Sequence, residues 1–124
     1  MTNTHAKFLK LITDVPDFPK PGIIFKDISP LLASEWFPEL IQELADLVRD
    51  SVSENNITRI AGIESRGFIL GAALAHEMNI GFIPVRKEGK LPPPTIRHSY
   101  ALEYGTDTIE VKAGSGSVIL IDDV

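Results

Sequence analysis

The chain has 124 residues, 44% of them hydrophobic and 23% charged, enough for one domain with a real core. Disorder, coiled coil and collagen are excluded by that balance. Twelve basic against seventeen acidic residues give a net charge of −5, which argues against a broad nucleic-acid-binding surface. No cysteine is present, so disulfides, thiolate metal sites and cysteine nucleophiles are all ruled out.

Phe8, Leu11 and Ile12 follow Thr4 at helical spacing and predict a short helix with Thr4 as its N-cap. Residues 15–22 hold three prolines and are expected to lack regular structure. Ile23-Ile24-Phe25 reads as a brief extended segment, and Asp27-Ile28-Ser29-Pro30 as a turn. Phe37, Leu40, Ile41, Leu44, Leu47 and Val48 then recur at three and four, predicting an amphipathic helix that starts at Ser34 or Glu35 and closes at Asn55-Asn56.

The β-branched run 57–63 predicts a buried strand, residues 64–67 a turn, 68–78 a small-residue helix and 81–85 a second strand. Strand, helix and strand in so short a span make a βαβ unit with parallel strands. Residues 86–94 are charged and rich in proline and glycine. Residues 99–104 and 108–111 flank Gly105-Thr106-Asp107 and predict a β-hairpin, and residues 114–117 a flexible link. Val118-Ile119-Leu120-Ile121 has the all-apolar pattern of a central parallel strand. The sequence stops at that strand's carboxyl end, where open α/β sheets place ligands, and so reads as cut short. Its apolar runs are too short for a signal peptide or a membrane span, making a soluble cytoplasmic protein the expectation.

Four groups of residues suggest chemistry. Glu64-Ser65-Arg66-Gly67 turns from strand to helix, where free N–H groups, the helix dipole and a guanidinium fork suit phosphate; an ordinary cap with a surface arginine fits equally. Between Arg86 and Arg97, four cations (Arg86, Lys87, Lys90, Arg97) outnumber Glu88, leaving a local +3 that suits an anion or is merely solvated. Asp122-Asp123 suits sugar hydroxyls or hydrated magnesium, or simply opens an acidic loop. Alternation places Tyr100, Leu102 and Tyr104 on one side of a hairpin arm and Glu103 on the other; Glu103 is a general acid or base there, or a solvated residue.

Together these groups describe a site for a phosphorylated sugar, and five blocks of the sequence resemble adenine phosphoribosyltransferase, in that family's order: residues 18–32, 64–68, 85–92, 100–105 and 118–123. The double aspartate is shared by all type I phosphoribosyltransferases, whereas the first and fourth blocks are specific to the adenine enzymes. The resemblance implies an α/β type I phosphoribosyltransferase fold: a parallel sheet flanked by helices, a small N-terminal hood over residues 1–34, a core over 35–124 and a flexible hairpin loop at 87–112, as a single domain whose C-terminal part is missing. It implies a purine-salvage reaction in which adenine and phosphoribosyl pyrophosphate give AMP and pyrophosphate, with Mg2+ bound mainly through phosphoribosyl pyrophosphate. Ser65, Arg66, Arg86, Lys87 and Lys90 would hold pyrophosphate, Asp122 and Asp123 the ribose hydroxyls, and Ile24, Phe25 and Lys26 the adenine. Glu103 would manage the adenine proton on a hairpin lid that includes Tyr104.

The resemblance also implies a cis peptide at Glu64-Ser65, a homodimer, and neither nucleic-acid nor membrane partners. The family's glycine- and threonine-rich 5-phosphate loop would follow Asp123, so the 124-residue chain alone is expected to be a poor catalyst. A phosphoribosyltransferase for another purine is disfavoured by the first and fourth blocks. A purine-responsive repressor is disfavoured because only about twenty residues precede the match and the charge is negative. A non-catalytic remnant of the enzyme is the remaining alternative.

Overall fold

The computed structural model describes residues 5–52, 56–102, 104–112 and 116–123. They form two compact units, one running to Glu43 and the other from Leu44 to Asp123. Thr4, Asn55, Glu103 and the first half of the Gly-Ser link, all named above, lie outside the described residues.

In the first unit, α1 (Ala6–Leu9) precedes β1 (Thr13–Pro16) and β2 (Ile24–Asp27), which pair antiparallel with Val15 opposite Phe25. The proline-rich segment thus begins inside a strand rather than wholly in loop. Pro16 is tolerated because it ends a strand of a two-stranded sheet, where a missing donor is harmless. Asp17 and Gly22, both at positive φ, then reverse the chain, and the Gly22 N–H donates to the Asp17 carboxylate at 2.8 Å. The turn expected at 27–30 becomes a helix start. Asp27 Oδ1 accepts the Ser29 N–H at 2.9 Å, and α2 (Ser29–Leu32) follows with Pro30 in its first turn. The amphipathic helix α3 runs from Phe37 to Ser51, close to its predicted span.

The second unit is built on a five-stranded mixed sheet in the order β5-β6-β4-β3-β7. β3 (Arg59–Ile63) lies parallel to both β4 (Gly81–Lys87) and β7 (Val118–Ile121), and α4 (Arg66–Met78) connects β3 to β4 as the βαβ pattern requires. Asn79 ends α4 in the left-handed conformation and donates its N–H back to the last turn. Alternation along β3 splits the core. Ile60 packs with Leu74, Ala75 and Ala45, while Ala61 packs with Ile83 and Val85.

Three further expectations are corrected. β5 (Thr95–Leu102) and β6 (Gly105–Lys112) are longer than predicted, and Leu102 pairs with Gly105 with Tyr104 in the turn, so Gly105-Thr106-Asp107 belongs to a strand. Cross-strand polar pairs hold that register: Ser99 with Thr108 at 2.8 Å, and the Tyr100 hydroxyl on Asp107 at 3.2 Å. β4 extends through Arg86 and Lys87, which pair with Glu110 and Ile109 of β6, so the basic segment starts in the sheet and not in a loop. Among the described residues β7 pairs only with β3 and sits at the sheet's end, with Leu120 56% exposed, despite its central-strand pattern.

α4 comes very close to β3. A Cβ at Gly62 would stand 2.3 Å from the Gly67 carbonyl oxygen and 2.9 Å from the Phe82 ring. Backbone cannot yield as a side chain can, so Gly62→Ala is expected to cost at least ~3 kcal/mol, the upper end for overpacking. Gly81→Ala, whose nearest neighbour is the Arg59 side chain at 3.7 Å, is expected to stay within ~0.5–1 kcal/mol. Urea midpoints of the two variants test the contrast.

Candidate active site

The turn between β3 and α4 is made by Glu64 and Ser65, joined by a cis peptide as the resemblance implies. Ser65 precedes α4 without a side-chain capping bond, and Arg66 is the helix's first residue. Gly67 follows, and a Cβ there would meet the Ile121 carbonyl oxygen at 3.0 Å and Asp122 Oδ1 at 3.2 Å. This close passage seats the helix start directly against the end of β7. Arg66 Nε reaches Asp123 Oδ2 at 2.5 Å. Burial pushes the Asp123 carboxyl above its ordinary range, outweighing the pull of Arg66, and the neighbouring Asp122 adds to the rise.

Next to this turn, the basic segment is threaded with carboxylates from elsewhere in the chain. Glu64, whose side chain is 9% exposed, accepts the Lys87 N–H at 2.9 Å, Lys90 Nζ at 2.9 Å and Arg86 Nε at 3.1 Å. Those bonds, led by the Lys87 N–H and then Lys90, hold its pKa down at about 2. Lys87 Nζ pairs with Asp107 at 3.2 Å, which raises the lysine pKa. Asp107 is lowered in turn, first by the Thr108 N–H and then by Lys87. Arg97 Nε reaches Glu110, only 2% exposed, at 2.7 Å, and Glu110 also accepts the Gly89 N–H at 3.3 Å. The +3 legible between Arg86 and Arg97 is therefore balanced in space by three acids: Glu64, Asp107 and Glu110. Singling out these three needs the sheet register, and only the antiparallel β4-β6 and β5-β6 pairings bring the last two into place.

The structure thus brings Arg66 and Asp123 into contact, with Asp122 beside Gly67, and gathers Arg86, Lys87 and Lys90 around Glu64. The adenine candidates lie in the other unit, on β2: Phe25 packs edge-on against Phe18 at 5.3 Å, Ile24 is exposed, and Lys26 Nζ pairs with Asp14 at 2.6 Å. Tyr104 lies in the hairpin turn and is 89% exposed, and Glu103 beside it lies outside the described residues. No group of three or more His, Asp or Glu able to hold a metal occurs among the described residues.

No protein-family model matches the chain. Over 114 residues it is 54% identical to adenine phosphoribosyltransferase of Bdellovibrio bacteriovorus, covering 92% of this chain and 67% of that protein. The crystal structure of adenine phosphoribosyltransferase from Rhodothermus marinus superimposes with a TM-score of 0.79 at 48% identity, over 95% of this chain and 68% of that one. The Saccharomyces cerevisiae enzyme, complexed with an imino-altritol bisphosphate and adenine, gives 0.87 at 34% identity, over 95% and 70%.

The chain belongs to the adenine phosphoribosyltransferase family. With that membership come the type I phosphoribosyltransferase fold and a pentosyltransferase activity of purine salvage, the transfer of a phosphoribosyl group to adenine. Among the described residues no helix is long and apolar enough to cross a membrane.

Glu64 and Asp123 load the acid limb of stability with opposite signs. The depressed Glu64 pKa contributes stability that is complete above its ordinary value near 4.5 and is lost as pH falls towards 2. The raised Asp123 pKa works the other way: its contribution is complete at low pH and is lost as pH rises through the folded value. Unfolding free energies measured from pH 2 to 6 should therefore fall less steeply towards acid in Glu64→Gln and more steeply in Asp123→Asn than in wild type.

Proposed function

We propose that this family's reaction runs on the rim where α4 begins and β7 ends. The observation that carries the reading is the Arg66–Asp123 contact: a guanidinium, a group suited to anions, lies beside a carboxylate, a group suited to sugar hydroxyls. Pyrophosphate leaving the anomeric carbon of phosphoribosyl pyrophosphate takes the bonding electrons with it and leaves an oxocarbenium-like ribosyl group. The protein must neutralise the departing charge, hold the ribose and keep water out. Ser65, Arg66, Arg86, Lys87 and Lys90 serve the pyrophosphate. Asp122 and Asp123 accept hydrogen bonds from the ribose hydroxyls.

Asp122, the more exposed of the two acids, would accept hydrogen bonds from the water shell of a magnesium ion bound with the polyphosphate, and that ion would supply charge neutralisation. Adenine is read by β2, where Ile24 and Phe25 give apolar contact and the backbone around Lys26 offers hydrogen bonds to the amino edge. Residues 1–34 make up the hood portion of the domain and residues from about 35 its core. The hairpin, with Tyr104 at its turn, closes over the reacting centre and carries Glu103 to the adenine ring nitrogen, where the carboxylate takes up the proton displaced on N-glycosylation. A cytoplasmic homodimer is the form in which we place this activity.

Adenine-dependent release of pyrophosphate tests the reading. In the intact enzyme, Glu103→Gln is expected to lower kcat by ~10²–10⁴-fold, the range for a positioned acid or base, with an unchanged circular dichroism spectrum. Near-wild-type turnover would remove Glu103 from the mechanism.

A further inference from the structure

We infer that Glu64 is a positioning residue for the pyrophosphate clamp, a resident carboxylate that sets where Arg86, Lys87 and Lys90 stand before any ligand arrives. The role rests on the clamp proposed above.

Glu64 does three things at one place. Its backbone N–H donates to the Val85 carbonyl at 3.0 Å, tying the β3–α4 turn to β4 through the main chain. Its Oε1 accepts both Arg86 Nε and the Lys87 N–H, and its Oε2 accepts Lys90 Nζ. One side chain therefore joins the turn that carries Ser65 and Arg66 to the strand end and loop that carry the other three cations.

The geometry of these bonds leaves the clamp competent. Glu64 engages Arg86 through Nε and makes no bond to its two terminal nitrogens, and Arg86 is further steadied over the Phe68 ring at 5.7 Å. Lys90 Nζ, on a side chain 50% exposed, has three donors and spends one on Glu64. Lys87 is held by its backbone, with its ammonium left to Asp107. A carboxylate and a phosphate oxygen accept the same donors, so Glu64 keeps the cations converged against their mutual repulsion without using all of their donors.

Glu64→Gln keeps the shape but replaces one acceptor oxygen with an NH2 that faces donors, so at least one of the three bonds is lost. Calorimetric titration with inorganic pyrophosphate is expected to show about tenfold weaker binding, equivalent to ~1.4 kcal/mol. Glu64→Asp keeps the charge one methylene short and is expected to lose less. In a Lys90→Met background the effect of Glu64→Gln should shrink, because the two changes remove parts of one unit. A merely structural role would give the full loss in both backgrounds, and that result overturns the inference. So does binding by Glu64→Gln as tight as, or tighter than, wild type while Arg66→Ala binds weakly; the clamp then stands without Glu64. Wild-type protein that binds pyrophosphate no better than Arg66→Ala overturns the clamp itself, and the role of Glu64 with it.

Discussion

The site depends on the approach of two backbones that only glycine allows. Gly62 on β3 and Gly67 on α4 stand so close that a side-chain carbon on Gly62 would lie 2.3 Å from the Gly67 carbonyl oxygen. That contact draws the first turn of α4 down onto the sheet, and Gly67 in turn lies against the end of β7. Arg66 can then meet Asp123 across two elements that are 57 residues apart in the chain. A helix start held one side chain further out would keep its N–H groups and its dipole, yet would lose its contact with the acids at the end of β7.

A second constraint is electrostatic. Four cations concentrated on the end of β4, the loop after it and the start of β5 would repel one another, and the fold answers with three carboxylates: Glu64 from the β3–α4 turn, Asp107 and Glu110 from β6. The arrangement is close to neutral, so little long-range field extends from it. Glu64 keeps its part in that balance because it stays ionised down to a pH of about 2. Glu110 has a different part. At 2% exposure it holds Arg97 and the Gly89 N–H, fixing the hairpin to the loop that carries Lys90.

Much of this was legible from residues alone, for identifiable reasons. The βαβ unit announced itself because β-branched runs and a small-residue helix have different periods. The phosphate and ribose candidates stood out because they follow strands, where parallel sheets present ligands. Asp107 and Glu110 did not, because their roles exist only in the register Arg86↔Glu110 and Tyr100↔Asp107. Gly105-Thr106-Asp107 looked like a turn by composition, yet Asp107 is bonded to Tyr100 and Lys87 within the sheet. Local turn chemistry was outweighed there by cross-strand pairing. The all-apolar 118–121 run suggests burial on both sides, but the strand order puts β7 at the end of the described sheet. Hydrophobicity reports what a strand can bury, and order depends on which neighbours pair with it.

The hairpin gains its significance from where its bonds lead. β6 contributes Asp107 to Lys87 and Glu110 to the Gly89 N–H and Arg97, while β5 contributes Tyr100 to the same Asp107. Every one of these ties runs to the basic segment or to the carboxylate that holds it. A displacement of the hairpin large enough to break the Lys87–Asp107 pair would release the lysine ammonium, and an anion that captured that ammonium would loosen the hairpin in return. Charge on the basic segment and position of the hairpin are thus two readings of one network. The Tyr100↔Asp107 pair lies two positions from Leu102↔Gly105, the last pair before the turn, so a change at the Lys87–Asp107 pair acts on the turn end of the hairpin through a short stretch of paired backbone.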